Sequence, residues 1–194
     1  MDIKALAQKY EPYIIERRRY FHAHPELSFK EWETTKALVA EFEKMGMEIQ
    51  TFPDYPGLIA TLDTGKPGRT VMLRADIDAL PVKEGTGLDF ASQNEGVMHA
   101  CGHDNHMAML LGAAHILLEK KDELKGKVKF LLQSGEEMAC GAKYYVDHHI
   151  LDGVDAIFGQ HIWGTLDAPY VCVASGNRMA SCDNFTIRVK GLQS

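Results

Sequence analysis

The sequence predicts an α/β fold: a mixed, mostly parallel sheet flanked by helices. Three observations carry this. Short apolar runs of strand length alternate with longer stretches whose apolar residues recur at helical spacing. Three of the runs end in potential ligand or acid–base residues, Asp76/Asp78, Glu136/Glu137 and His161. That is where open α/β sheets place their chemistry. The stretch Met98-His-Ala-Cys101-Gly-His103-Asp104-Asn-His106 gathers one thiol, three imidazoles and a carboxylate. It opens directly into the helical pattern Met107, Leu110, Leu111, Ala114, Leu117, Leu118, which can hold such a loop still.

Gross composition narrows the classes. The chain has 194 residues, 45% hydrophobic and 25% charged, with a formal net charge of −6. Phosphate binding needs a clustered basic surface, so a nucleic-acid partner is not expected. The run Arg17-Arg18-Arg19 reads as one solvated helix face. No apolar run reaches the ~18 residues of a membrane span, and the N-terminus lacks a signal peptide's apolar core. Cys101, Cys140, Cys172 and Cys182 are too scattered for a disulfide framework, so free thiols or a metal ligand, and a reducing cytoplasm, are expected.

Taken in order, residues 2–22 form an amphipathic helix with Pro12 as a point of interruption, ended by the constraint of Pro25 on His24. His22 and His24 read as surface or capping histidines. Residues 28–45 form a second helix with Trp32, Leu38, Val39, Phe42 and Met45 on one face, stopped at Gly46. Residues 47–52 and 58–62 are strands separated by the turn 53–57. The run 70–75 suits a strand covered on both faces and leads into Asp76 and Asp78, which read equally as turn formers or site carboxylates. A polar, Gly-rich loop spans 83–97, and the helix after the Cys/His loop runs to about Glu119. Residues 127–134 form a strand, 141–150 a short helix, and 155–161 a buried strand. Residues 170–174 and 185–189 alternate as strands.

Cysteine, histidine and carboxylate together favour zinc, cobalt, nickel or manganese over calcium or magnesium. The C-x-H spacing with no second C-x-x-C points to an open, catalytic site. Two ions can share a thiolate and a water. Of two adjacent glutamates at a strand end, one can ligate while the other moves the proton of the water. Metalloprotease H-E-x-x-H, zinc-deaminase, G-x-S-x-G and G-x-G-x-x-G patterns are absent. A Cys101 thiol nucleophile fits the carboxylate-rich set less well than metal does.

The segments Leu73-Arg-Ala-Asp76-Ile-Asp78-Ala-Leu-Pro81, Met98-His-Ala-Cys101-Gly-His103-Asp104, Gln133 with Glu136-Glu137, and Gly159-Gln-His161 occur in family-like order and spacing. Together they resemble the M20 metallopeptidase family in its amidohydrolase branch, which includes N-acyl-L-amino acid, hippurate and auxin-conjugate hydrolases. The resemblance covers nearly the whole chain. It implies a zinc-peptidase-like catalytic domain with two divalent ions per complete site (Mn, Zn, Co or Ni). It makes Cys101, His103, Glu137 and His161 metal ligands, with Cys101 the bridge. It makes Glu136 the general base and Asp78 an aspartate behind the site that orients it. The reaction implied is hydrolysis of a small-molecule N-acyl amino acid.

The chain departs from the pattern at Asn105, at Ser134-Gly135 and at Met138-Ala-Cys140, which flank the ligands without removing any. Family members are about twice as long as these 194 residues, with a lid domain that mediates dimerisation, so full-length relatives are expected to be homo-oligomers. The resemblance implies a truncated or split form: residues 1–182 an incomplete catalytic domain, and 183–194 the start of the lid. A lid histidine and a last ligand histidine then lie outside the chain. A non-catalytic metal-binding remnant, or half of a split enzyme inactive alone, is the alternative expectation.

Overall fold

The computed structural model describes residues 2–177, 179, 181 and 185–192. Two units divide the chain, one up to residue 162 and one from residue 163.

The first unit contains every named helix and strand among the described residues. These are α1 (Ile3–Ala23), α2 (Trp32–Lys44), β1 (Glu48–Phe52), β2 (Tyr55–Asp63), β3 (Thr70–Asp76), α3 (His103–Glu119), β4 (Lys127–Gln133), α4 (Gly141–Asp147) and β5 (Ala156–Gly159). The strands form one mixed sheet in the order β1-β2-β4-β3-β5. β1 and β2 form an antiparallel hairpin, and β2 runs antiparallel to β4. β3 lies parallel to both β4 and β5. The C-terminal ends of β4, β3 and β5 therefore face the same way.

Helices α2 and α3 pack on β2 and β3, and α1 packs on α3. Phe42 of α2 and Phe130 of β4, both fully buried, meet at 5.6 Å between ring centroids. Cutting either to alanine costs about 3–5 kcal/mol, so this contact helps make a stiff floor for the strand ends. A second cluster joins Phe52, Ile59, Met72 and Leu131 to Tyr145 of α4.

Several elements differ from the sequence expectation. α1 continues through Pro12 without a break. α2 starts at Trp32 rather than 28, because the Glu26 carboxylate accepts the Thr34 amide at 2.7 Å and the Glu33 amide at 3.3 Å and so caps the helix from outside. α4 stops at Asp147 rather than 150. β5 is not buried: it is a sheet edge paired with β3, and Phe158 remains 61% exposed. The arginine run is not simply a solvated face, since Arg17 pairs with Glu41 and Arg18 with Asp104, which leaves Arg19 outermost. His24 caps α1 as expected, but His22 is buried between Asp104 and Glu84.

In the second unit, the described residues form no helix or strand. Turns link Leu166 to Trp163 and Tyr170 to Asp167. The alternating runs 170–174 and 185–189 are therefore not strands. Their apolar side chains are exposed, with Val189 at 89%. Alternation produces a strand only where a neighbour accepts the ladder bonds, and none does among the described residues. The expected boundary between 182 and 183 falls on residues outside those described. No helix among the described residues is long and apolar enough to cross a membrane.

Candidate metal centre

The parallel strands deliver the candidate side chains to one edge. β3 ends in Asp76, which is in register with Gln133 at the end of β4. Asp78 follows the first strand, and a 3-10 turn carrying Glu136 and Glu137 follows the second. Two residues past β5 lies His161. The Cys/His loop closes the group: Cys101 precedes the start of α3, and His103 is that helix's first residue.

His103 is the hub. It is fully buried and belongs to three overlapping groups of potential ligands: with Cys101 and His161, with Glu136 and Glu137, and with Asp76 and His106. Its Nδ1–H donates to the Asp78 backbone carbonyl at 2.8 Å, which turns Nε2 toward the site. There Nε2 lies 3.6 Å from Glu137 Oε1, 3.6 Å from Asp76 Oδ2 and 3.8 Å from Glu136 Oε2. His161 is set the same way. Its Nδ1–H donates to the Ile162 carbonyl, and its Nε2 faces Cys101 Sγ at 3.4 Å. Both imidazoles thus offer Nε2 to a common space, with the other nitrogen fixed by backbone, as metal-binding histidines are usually held.

The residues fit a metal. His103 Nε2 and Glu137 Oε1 are buried without a hydrogen-bond partner among the described residues. Unpaired buried polar atoms are costly. Two donors on one ion at bond lengths of ~2.0–2.2 Å and tetrahedral angles sit ~3.4 Å apart, close to the 3.6 Å between these atoms. Asp76 and His106 are different: Asp76 Oδ1 and His106 Nδ1 bond each other at 2.6 Å.

The electrostatics suit a cation at this position. The Cys101 thiol is pushed up to about 12 by burial and then by the Glu137 carboxylate beside it. Such neighbours suppress a thiolate nucleophile, but a cation reverses the balance for a ligand. Burial opposes charge on His103, yet its bond to Asp78 and the surrounding carboxylates outweigh it and raise its pKa. Glu136 is raised above the usual carboxylate value, first by burial and then by Asp76. Asp78 is held low: burial raises it, but bonds from His103, Ser28 and the Glu137 amide prevail. Its Oδ2 accepts the Ser28 hydroxyl at 2.7 Å and the Glu137 amide at 3.0 Å. Asp78 therefore touches both the helix start carrying His103 and the turn carrying the glutamates.

All six sequence-chosen residues, Asp78, Cys101, His103, Glu136, Glu137 and His161, gather at this edge. The sequence reading gave no role to His106, Asp104 or Glu31, and carried only Asp78 forward from the Asp76/Asp78 pair. His106 had a usable signal, since it stands one turn from His103 on the same helix face.

Fold and site together define an α/β domain with potential metal ligands gathered at one edge of its sheet. The chain belongs to Peptidase family M20/M25/M40, whose family model matches residues 72–187. It is 41% identical over 191 residues to an N-acyl-L-amino acid amidohydrolase of Geobacillus stearothermophilus, covering 98% of this chain and 52% of that one. It is 45% identical over 179 residues to an N-acetylcysteine deacetylase of Bacillus subtilis, covering 92% and 47%. A crystal structure of a dinuclear metal-binding peptidase of the M20 family from Bacillus subtilis matches at a TM-score of 0.77 and 44% identity, covering 84% of this chain and 45% of that one. The chain spans about half the length of the curated relatives it matches.

Proposed function

We propose that this chain carries the metal-binding part of an amidohydrolase that cleaves N-acyl amino acids to a carboxylate and a free amino acid. The observation that carries the reading is the pair of buried, unpartnered atoms His103 Nε2 and Glu137 Oε1, 3.6 Å apart beside Cys101 and Glu136. The names of the relatives supply the substrate class. Cys101, His103, Glu137 and His161 would hold two divalent ions. Manganese, zinc, cobalt and nickel all suit these donors. When bound, such ions supply Lewis-acid polarisation of the amide carbonyl and a more acidic water.

Glu136 is the general base. Its carboxylate is 38% exposed, so it can meet water and substrate. Burial and Asp76 raise its pKa, the direction that favours taking a proton. Asp78 positions rather than reacts, through His103 and the Glu137 amide. The free thiols Cys101 and Cys140 suit a reducing cytoplasm.

The test is metal content per chain by elemental analysis, with turnover of N-acetyl and N-benzoyl amino acids. Glu136→Ala is expected to bind metal like the wild type and to lose ~10²-fold or more in turnover. A fully active Glu136→Ala rejects that base. Stoichiometric metal without turnover favours the second reading, a metal-binding remnant or half of a split enzyme.

A further inference from the structure

We infer that His106 is the positioning residue for His161, locked as its Nδ1–H tautomer between the Asp76 carboxylate and the Ile162 amide. This rests on the reading of His161 as a metal ligand.

The tautomer follows from the partners. The Ile162 amide is a donor and lies 3.0 Å from His106 Nε2, so Nε2 must be bare. A neutral imidazole with a bare Nε2 carries its proton on Nδ1. That nitrogen is 2.6 Å from Asp76 Oδ1, which accepts it. His106 and Asp76 are 2% and 0% exposed, so water does not replace either partner freely. Asp76 is itself fixed by Arg74, whose Nη1 donates to Oδ2 at 2.7 Å and whose Nε donates to Gln133 at 2.9 Å. The imidazole of His106 is therefore held on a buried framework at the ends of β3 and β4.

The backbone of Ile162 transmits this to the ligand. Its N–H goes to His106, and its C=O accepts Nδ1–H of His161. One residue thus receives its place from His106 and sets the ring of His161. The side chain of Ile162 is held as well: a Cβ on Gly102 would come within 2.3 Å of Ile162 Cδ1, so the glycine before His103 makes its seat. The device is needed because β5 is an edge strand that ends at Gly159. His161 lies beyond the ladder, where strand pairing no longer fixes it.

Partners that orient a metal-binding histidine typically contribute 10–100-fold in metal affinity. The test uses the 194-residue chain and cobalt(II), followed by the thiolate-to-cobalt absorption of Cys101. Wild type is expected to give that band. His106→Ala is expected to bind cobalt ~10–100-fold more weakly. His106→Gln, whose amide offers both a donor and an acceptor group, is expected to recover most of the loss. Nitrogen-15 NMR of the wild-type imidazoles is expected to show His106 protonated on Nδ1 and bare on Nε2, a readout that needs neither metal nor a variant. A protonated Nε2 overturns the proposal even if His106→Ala fails to fold. Equal cobalt affinity in wild type and His106→Ala overturns the positioning role while leaving the ligand reading intact. No cobalt binding in wild type overturns the ligand reading, and the positioning role with it.

Discussion

Glu31 and Ser134, 103 positions apart, meet inside the protein: the Ser134 hydroxyl lies 2.8 Å from each oxygen of the Glu31 carboxylate. Both residues are fully buried. The same carboxylate accepts the Gly135 amide at 3.0 Å. Glu31 thus holds the chain just before Glu136, while Asp78 holds it at the amide of Glu137. Two carboxylates behind the turn fix the two carboxylates within it.

The position of Glu31 makes stability depend on pH. Burial pushes its pKa up from 4.5 to about 7, against the opposing bonds from Ser134 and Gly135. The folded state therefore holds this proton more tightly than the unfolded chain. Glu31 is favourable to folding below about 4.5, and that contribution is lost as pH rises through about 7. Glu31→Gln removes the titration and keeps an acceptor. Denaturant unfolding at acid and alkaline pH is expected to show wild type losing stability relative to Glu31→Gln by roughly 3 kcal/mol as pH rises. Parallel curves for the two proteins contradict this.

Gly135 is the next point of sensitivity. Its φ is +70°, and a Cβ there would approach the Phe29 ring to 2.2 Å. Gly135→Ala adds a left-handed backbone penalty of about 1 kcal/mol to that collision. The expected outcome is a lower unfolding midpoint and weaker metal binding, because the turn carrying Glu137 must shift. Wild-type metal affinity in this variant means that the turn tolerates the shift.

Thiol labelling separates metal chemistry from thiol chemistry. In the metal-free chain, Cys101 is expected to alkylate more slowly at neutral pH than the exposed Cys140, because burial and Glu137 push its thiol up to about 12. Mass spectrometry of the labelled peptides reads the order. If Cys101 reacts first, the thiol-nucleophile reading revives.

The site was legible where the residues themselves carry the signal. Cys101, His103 and the Glu136–Glu137 pair stand in compact local patterns, and β3 and β4 are continuous apolar runs. What was not legible depends on partners far along the chain. Nothing local marks Glu31, the residue before α2, since only the fold brings it to Ser134. α2 was placed too early because its cap, Glu26, acts from outside the helix. The runs 170–174 and 185–189 show the reverse error: alternation is local, but a strand needs a neighbour.

Asp104 is the last case in which a distant partner decides the role. It is fully buried and accepts His22 Nδ1 at 2.7 Å. Arg18 Nε lies 3.0 Å from the same Oδ2, an ion pair without hydrogen-bond direction. These contacts tie α1 to the first turn of α3, one residue past His103. Asp104→Ala leaves His22 and Arg18 without this anion, at a cost of ~3 kcal/mol or more. Arg18→Ala is expected to cost less, because its side chain is 28% exposed and Asp104 keeps His22 and the Asn105 amide. Urea unfolding of both single variants and the double variant tests the order, with the coupling between the two sites read from the cycle. If Asp104→Ala is no more destabilising than Arg18→Ala, the carboxylate does not anchor α1, and the start of α3 must be held by the Asp78–His103 bond and the core behind it.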